Sequence, residues 1–450
     1  MSRPDRPAPP TAPDRVRVHP AALSGTVAVP GDKSVSHRSL IVGALVGEAV
    51  EVSGVADSGD VRSTARALTG LGVTVDLAPV DGRLAGTVTG PVREPATILD
   101  CGNSGTALRL LAGVVAGIDG LSVLTGDESL VQRPVDRVAE PLRQMGASVD
   151  ARGDGRVPPL VIRGGQLHGI RYEQPIASAQ VKSCLLLAGL AASGATTVVS
   201  PYPSRDHTER MLRHLGATVH NGVTADGRDG VEIEPGSLRP APLQVPRDPS
   251  SAAFWHVAGV VGGSGPVVTP GVSANPTRTG ALRFLEELGA EVNYHDERTD
   301  AGEPVADVTV APSELGGGRL AGRLVVDAID ELPILALAGA LSSDGIEVAD
   351  AAELRVKESD RIATLGAIFD ALGMDLEERP DGFVVPGGQR PAGGVVDAAG
   401  DHRIAMTAAI AGCLARAPVE ISGFASVTTS YPGFLDDLAR LGGRAEVLAS

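Results

Sequence analysis

Residues 209–219 read ERMLRHLGATV, the end of a helix followed by a glycine and a strand-like segment. The apolar side chains of this run fall on one face at helical spacing and the charged ones on the other, as in an amphipathic helix. A glycine directly after such a run is typical of a left-handed residue that ends a helix. The stretch therefore predicts a helix, a stop at Gly216 and a strand.

The same ending, Leu-Gly or Met-Gly after a helical pattern, occurs six times, with gaps of 74, 70, 73, 84 and 69 residues. Its glycines are Gly72, Gly146, Gly216, Gly289, Gly373 and Gly442. A second series, out of phase with the first, leads six times from small polar residues into an apolar run, with gaps of 70, 75, 70, 82 and 71 residues. Its markers are Lys33, Asn103, Ser178, Asp248, Asp330 and Asp401. Two series in step predict six copies of one α/β unit, each with a buried helix, an amphipathic helix and several short strands.

The chain length of 450 residues fits two or three domains. Six units most simply form two globes of three units each. The division then falls near residues 245–248, between the third and the fourth unit.

Composition excludes several classes of partner. The net charge of −16 disfavours nucleic acid or an anionic membrane, and only 2% of residues are aromatic, so platforms for base stacking are scarce. No apolar run approaches the roughly 20 residues of a membrane span. Residues 1–14 are rich in proline and arginine without an apolar core, which predicts a disordered leader rather than a secretory signal, and hence a cytoplasmic location. The three widely spaced cysteines offer neither a disulfide framework nor a CxxC metal site.

Lysine is rare in this chain. Of the 39 basic residues only Lys33, Lys182 and Lys357 are lysines. A preference for arginine codons explains such a ratio. Alternatively, the three positions need a compact point charge or a proton carrier, which the guanidinium group cannot supply.

Each predicted buried helix begins with polar groups. Helix starts carry free backbone N–H groups and the positive end of the helix dipole, so they bind anions readily. Serine, asparagine and aspartate at these places are also explained as ordinary N-caps. Caps alone do not require the cations that accompany them, which are Lys33, Arg38, Arg133, Lys182, Lys357, Arg361 and Arg403. We therefore favour a shared anion-binding cleft.

Eight motifs in order resemble those of the 5-enolpyruvylshikimate-3-phosphate synthase family: PGDKSVSHR, CGNSGTALR, QRPVDR, SAQVKS, RDHTER, IDELP, RVKESDR and GDHRIAM. The resemblance runs from about Ser24 to Phe434. It implies transfer of the enolpyruvyl group of phosphoenolpyruvate to the 5-hydroxyl of shikimate 3-phosphate, with release of phosphate. No cofactor or metal is implied, and we expect a monomer.

The resemblance also implies a fold, a two-domain inside-out α/β barrel of six βαβαββ repeats, three per domain, with buried helices. In this family the first strand crosses to the C-terminal domain. We accordingly expect residues 15–31 with 247–450 to form domain one and residues 32–246 to form domain two.

The resemblance of each motif to the family implies particular site residues in this chain. The shikimate 3-phosphate site is expected to comprise Lys33, Ser34, Arg38, Ser178, Ala179, Gln180, Arg205, Asp330 and Lys357. The phosphoenolpyruvate site is expected to comprise Lys33, Asn103, Gly105, Arg133, Gln180, Arg361 and Arg403. Both substrates carry a phosphate and a carboxylate, so a closed site needs several converging cations.

The reaction needs a hydroxyl deprotonated and a methylene carbon protonated and then deprotonated. The resemblance assigns Asp330 to the hydroxyl. Lys33 and Glu358 are both candidates for the methylene proton, and the choice between them is open. His402 either hydrogen-bonds near phosphate or is structural.

The chain departs from part of the family at two positions. Ala179 replaces a serine, so only its backbone is expected to contact ligand, and Thr429 replaces a lysine, for which we hypothesise that Lys182 substitutes. Gly105 is retained, and the resemblance implies that this glycine favours inhibition by glyphosate at the phosphoenolpyruvate site. Alternative functions are a UDP-N-acetylglucosamine enolpyruvyl transferase, which carries Lys-Asn where this chain has Lys33-Ser34, and a noncatalytic repeat scaffold.

Overall fold

The computed structural model describes residues 13–223 and 228–449. Within these ranges the chain forms six βαβαββ units, each a four-stranded sheet and at least two helices. In each four-stranded sheet the second strand is parallel to the first and antiparallel to the fourth, and the third strand is antiparallel to the fourth at the edge. The six predicted units are therefore present.

Units 1 to 3 form one half of the molecule. Unit 1 has helices Lys33–Val46 and Gly59–Gly70 and strands Leu243–Gln244, Ala49–Val55, Thr74–Val80 and Arg83–Thr89. Unit 2 has helices Gly105–Ala116 and Asp136–Gln144, a 3-10 helix Leu130–Gln132, a helical turn Arg152–Gly155 and strands Leu99–Asp100, Gly120–Thr125, Ser148–Ala151 and Val157–Gly164. Unit 3 has helices Ala179–Gly189 and His207–His214 and strands Arg171–Glu173, Thr196–Ser200, Val219–Val223 and Asp229–Ile233. Two further short strands, Leu167–His168 and Ala192–Ser193, pair beside it.

Units 4 to 6 form the other half. Unit 4 has helices Pro249–Gly262 and Gly280–Glu287 and strands Gly25–Thr26, Val267–Ser273, Val292–Asp300 and Glu303–Val310. Unit 5 has helices Arg323–Ala328, Leu332–Leu341 and Arg361–Ala371, a 3-10 helix Ala352–Val356 and strands Gly318–Leu320, Ile346–Val348, Glu377–Arg379 and Gly382–Val385. Unit 6 has helices His402–Leu414 and Phe434–Arg440, a 3-10 helix Phe424–Thr429 and strands Gly394–Asp397, Val419–Ser422, Arg444–Val447 and Val16–His19.

The first long helix of each unit, which we call its core helix, lies inside its half. The core helices are Lys33–Val46, Gly105–Ala116, Ala179–Gly189, Pro249–Gly262, Leu332–Leu341 and His402–Leu414. Nearly all their residues are buried, including every residue of His402–Leu414. The three core helices of units 4 to 6 pack against one another, and the sheets surround them. This arrangement is the inside-out α/β fold.

The helix-ending glycines behave as the sequence predicts. All six have positive φ, between 70° at Gly373 and 106° at Gly146. At such φ values a side chain is strained, whereas glycine is not. The predicted sequence of helix, left-handed stop and strand is confirmed in all six units.

The chain crosses between the halves twice, at residues 30–32 and 246–248. The two crossings run side by side: Asp32 N donates to Pro246 O at 2.8 Å, and Asp248 N donates to Pro30 O at 2.9 Å. A Cβ on Gly31 would lie 2.0 Å from the carbonyl oxygen of Gly54, so only glycine fits there.

Two separate hydrophobic cores correspond to the two halves. One joins Val16–Val29 to residues 252–441, and the other extends from Val35 to Val245. We propose on this basis that residues 15–31 with 247–450 form domain one and residues 32–246 form domain two. Positions 1–12 of the expected leader lie outside the described residues, and Asp14 already accepts a backbone hydrogen bond from Phe424 at 3.0 Å. None of the helices in the described ranges has the length and apolar composition of a membrane span.

Candidate active site

A cavity of about 400 Å³ lies between the two halves. The starts of five core helices line it, together with residues 329–330 just before the sixth. The fold therefore directs five helix starts, and the residues just before a sixth, at one space between the halves.

The cavity is strongly basic, although the chain is acidic. Ten lysine and arginine side chains line it against six carboxylates, which gives the lining a formal charge of +4 in a chain of net charge −16. Low-dielectric walls strengthen the field of such a cluster. The cavity is therefore suited to ligands with several negative charges.

N-caps and cations are both present at the helix starts. Asp32, Ser104, Ser178, Asp248 and Asp401 each accept a hydrogen bond from a backbone N–H of the first turn. The capping interpretation is thus right for these residues. It does not account for the cations that lie beside them.

Fourteen of the fifteen residues predicted for the site line this cavity. They are Lys33, Ser34, Arg38, Gly105, Arg133, Ser178, Ala179, Gln180, Arg205, Asp330, Lys357, Glu358, Arg361 and Arg403. The exception, Asn103, lies behind Arg133: its Oδ1 accepts from Arg133 at 2.6 Å, and its amide donates to Asp127 at 2.7 Å. Asn103 therefore orients Arg133 in this structure.

Arg38 is a buried cation without a carboxylate partner in the described ranges. It is 2% exposed, and its guanidinium donates to Thr208 Oγ1 at 2.8 Å, to Ser183 Oγ at 2.9 Å and to the carbonyl of Ser34 at 2.9 Å. Burial lowers the pKa of Arg38 to about 10, which still leaves it charged at neutral pH. Because its partners are neutral, its charge is available to an anionic ligand.

Asp330 lies among four cations from both halves. Its carboxylate is 2.5 Å from Arg205, 3.4 Å from Arg361, 3.8 Å from Arg403 and 3.9 Å from Lys357. Burial raises the pKa of Asp330, but the charges of these neighbours, with that of Arg403 the largest, outweigh it and hold the pKa well below its usual range. The carboxylate is therefore ionised and able to accept a proton.

A second carboxylate, Glu358, bridges two arginines. It lies 2.6 Å from Arg361 and 3.5 Å from Arg133. Burial raises its pKa, but the neighbouring positive charges, with that of Arg361 the largest, together outweigh burial, so the pKa lies well below the usual range. Arg361 is fully buried and also donates to Asp401 at 2.8 Å.

Lys33 and His402 complete the polar lining. Lys33 Nζ lies 3.2 Å from Asp60, which also lines the cavity. Burial, followed by the charge of Lys33, lowers the pKa of His402 to about 3, so its imidazole is neutral at physiological pH. In the described part of the chain, His402 Nε2 is buried and has no hydrogen-bond partner, which leaves it available to a ligand.

The hypothesis that Lys182 replaces the lysine absent at Thr429 is wrong. Lys182 is 1% exposed and is not among the residues that line the cavity. Its Nζ lies 2.7 Å from Glu209 and donates to the carbonyl of Ser204 at 3.1 Å. Its charge is therefore neutralised in the core behind the cavity.

Sequence reasoning missed three arginines that line the cavity, Arg109, Arg137 and Arg278. Arg109 lines the cavity and donates to Gln180 Oε1 at 2.6 Å and to the carbonyl of Pro134 at 2.8 Å. Its position four residues after Gly105 places both on one helix face, a signal that could have found it. Arg278 is buried and joins the N-caps of two core helices, at 2.9 Å from Asp32 and 3.1 Å from Asp248, and no local sequence pattern indicates it.

The cavity can thus hold two polyanions close together. Its buried arginines suit bidentate contacts with carboxylate and phosphate groups. Two ionised carboxylates, Asp330 and Glu358, and one lysine, Lys33, can carry protons. This arrangement suits a transfer reaction between two anionic substrates.

Comparison with known proteins gives a consistent result. The family model of EPSP synthase (3-phosphoshikimate 1-carboxyvinyltransferase) matches residues 18–438. The 3-phosphoshikimate 1-carboxyvinyltransferase of Roseiflexus sp. (strain RS-1) is 46% identical over 428 residues, which cover 94% of this chain and 98% of the relative. That of Gloeobacter violaceus is 47% identical over 424 residues, 93% of this chain and 96% of the relative.

Solved structures agree. EPSP synthase from Acinetobacter baumannii superposes with a TM-score of 0.84 at 40% identity and covers 97% of this chain and 100% of its own. The enolpyruvyl transferase NikO from Streptomyces tendae gives a TM-score of 0.76 over 98% of this chain and 100% of its own, and at 18% identity it bears on the fold alone. With the family model matching most of the described residues and relatives 46% identical over nearly the whole length, the chain belongs to the EPSP synthase (3-phosphoshikimate 1-carboxyvinyltransferase) family.

Proposed function

We propose that this chain transfers the enolpyruvyl group of phosphoenolpyruvate to the 5-hydroxyl of shikimate 3-phosphate and releases phosphate. Family membership supports the reaction, and one structural observation carries it. That observation is the cavity whose lining has a formal charge of +4 and in which the ionised Asp330 lies among four cations from both halves. The reaction belongs to the shikimate pathway of aromatic amino-acid biosynthesis.

The two substrates have adjacent positions in this proposal. Shikimate 3-phosphate lies against Lys33, Ser34, Arg38, Ser178, Ala179, Gln180, Arg205, Asp330 and Lys357. Phosphoenolpyruvate lies against Lys33, Asn103, Gly105, Arg133, Gln180, Arg361 and Arg403, with Asn103 acting through Arg133. The unpaired charge of Arg38 supports a phosphate on its side of the cavity.

The mechanism we propose is addition followed by elimination. Asp330 takes the proton of the 5-hydroxyl as its oxygen attacks the central carbon of phosphoenolpyruvate, while Lys33, or Glu358 once it has itself gained a proton, gives a proton to the methylene carbon. The second step removes a proton from the resulting methyl group as phosphate leaves. Substrate anions that bind the arginines around Asp330 offset the positive charge that stabilises its ionised carboxylate. The proton affinity of Asp330 therefore rises when the substrates bind.

An assay of phosphate release tests this function. The enzyme is expected to release phosphate from phosphoenolpyruvate only when shikimate 3-phosphate is also present. Release with UDP-N-acetylglucosamine instead would identify the other enolpyruvyl transferase. A noncatalytic scaffold would release none with either acceptor and would give no heat of binding on addition of the two substrates.

We further propose a monomeric, cytoplasmic enzyme. Fourteen of the fifteen residues predicted for the site come together in one cavity of a single chain, which supports a site complete within one subunit. All three cysteines are free and buried, which suits a reducing compartment.

The two halves are expected to approach each other and close the cavity when shikimate 3-phosphate binds. Cations on both sides of the cavity repel one another until an anion lies between them, and the ligand favours the closed form by its added contacts. The crossings near Gly31 and Val245 are the expected hinge. Small-angle scattering should give a smaller radius of gyration with saturating shikimate 3-phosphate. An unchanged radius would contradict closure.

Gly105→Ala is expected to raise the inhibition constant of glyphosate by a much larger factor than the Michaelis constant of phosphoenolpyruvate. A Cβ at this position would lie 2.9 Å from Nη1 of Arg109 and 3.7 Å from Nη1 of Arg133. A misplaced methyl in a tight site costs about 1–3 kcal/mol, and the larger inhibitor bears more of it than the substrate.

The matched control is Gly236→Ala, because no atom lies within 4 Å of the methyl that this change adds. Steady-state inhibition should be unchanged in the control. Equal increases of both constants in Gly105→Ala would show that this glycine does not discriminate between the two ligands.

A further inference from the structure

A second cavity, of about 220 Å³, lies where the chain crosses between the halves. Residues 244–247, which lead from unit 1 into the crossing, form part of its wall. Three arginines, Arg83, Arg247 and Arg298, line it with two aspartates. It shares no lining residue with the catalytic cavity. Nothing in the proposed mechanism uses it.

The three arginines differ in their partners. Arg298 lies 3.2 Å from Asp300 and 3.9 Å from Asp307, so its charge is more than balanced, and the three arginines and two aspartates give the lining a formal charge of +1. Arg83 and Arg247 form no ion pair within the ranges that the structure describes. Each donates only to a backbone carbonyl, Arg83 to that of Val245 at 3.4 Å and Arg247 to that of Val29 at 2.6 Å.

Two observations indicate that Arg83 and Arg247 lack a ligand. Burial lowers the pKa of Arg83 although the charge of Asp81 opposes it, and burial followed by the charge of Arg83 lowers the pKa of Arg247, so neither cation is fully compensated. In addition, Arg83 Nε is buried and has no acceptor among the described residues. An anion between the two guanidinium groups would accept their free N–H donors and balance their charge.

We propose that this cavity is a second anion site, which binds a doubly charged tetrahedral oxyanion, such as a phosphate group, between Arg83 and Arg247. Arginine suits this ligand because its planar donors match the spacing of phosphate oxygens. Arg83 begins the last strand of unit 1, whereas Arg247 lies in the crossing to unit 4. An occupant therefore connects the two halves at the hinge.

Crystals soaked with selenate test the location directly, because selenium gives an anomalous signal. The expected result is a peak in contact with Arg83 and Arg247, besides any peak in the catalytic cavity. Absence of this peak at saturating selenate would overturn the proposal.

Calorimetric titration with sulfate tests binding in solution. Loss of a charge-assisted hydrogen bond in Arg83→Gln is expected to weaken binding at the second site about tenfold. Binding at the catalytic cavity should persist. Arg247→Gln repeats the test if Arg83→Gln proves unstable. The control is Arg319→Gln, because Arg319 is exposed and pairs with Glu347 away from the cavity lining; it should bind sulfate as the wild type does.

Two outcomes separate the possible ligands. Tighter binding of glycerol 3-phosphate than of sulfate would support the phosphate group of a metabolite, and equal binding would support a free oxyanion. A selenate peak combined with identical sulfate isotherms in the wild type and both variants would mean an adventitious ion only, which overturns the proposal.

Discussion

Asp330→Asn is expected to lower turnover by a factor of about 10²–10⁴, the usual contribution of a general acid–base group. Asparagine keeps the shape of the side chain and a carbonyl oxygen for hydrogen bonding, but it cannot accept the proton of the 5-hydroxyl. The arginines that now pair with the carboxylate remain in place, so the Michaelis constants should change little. Phosphate release at saturating concentrations of both substrates measures the loss.

A matched control exists in the same cavity. Asp350 also lines it, forms no ion pair in the described part of the chain, and has a positive φ of 59° that asparagine tolerates. Its carboxylate accepts from Gly322 N at 2.8 Å, and the amide oxygen of Asp350→Asn can do the same. Asp350→Asn should therefore retain activity. Near-normal turnover in Asp330→Asn would remove Asp330 from the mechanism.

The repeat architecture was predictable because its signals are local. A glycine that ends a helix is favoured by the backbone within about one turn of it, and all six predicted glycines have the expected positive φ. The strand exchange between the halves has no such local signal. Strands Gly25–Thr26 and Leu243–Gln244 are two residues long and show no periodicity, and only the family resemblance indicated that the chain crosses.

The site was predictable where its residues lie in motifs at helix starts. Arg278 was missed because its partners, Asp32 and Asp248, lie 246 and 30 residues away along the chain. Lys182 was misplaced for a related reason. Its sequence context, SAQVKS, places it one turn beyond the site residues, but the carboxylate that binds it, Glu209, comes from another helix.

Lys182→Met is expected to destabilise the half that contains residues 32–246 by about 3–5 kcal/mol, because it leaves the buried carboxylate of Glu209 without its partner. Glu209 is 0% exposed. Within the described ranges, neither of its carboxylate oxygens accepts a hydrogen bond. The double variant Lys182→Met/Glu209→Leu removes both charges. It should recover most of the lost stability, since replacing a whole buried pair by apolar groups is often close to neutral.

Urea unfolding followed by circular dichroism measures these changes. The single tryptophan, Trp255, lies in the other half and stacks on Phe434 at 4.7 Å, so its fluorescence provides an internal reference that should shift less. Lys182 also binds the carbonyl of Ser204, next to Arg205, which pairs with Asp330. The double variant should therefore fold but show a raised Michaelis constant for shikimate 3-phosphate. Equal destabilisation of the single and double variants would mean that the charge pair is not what Lys182 contributes to the core.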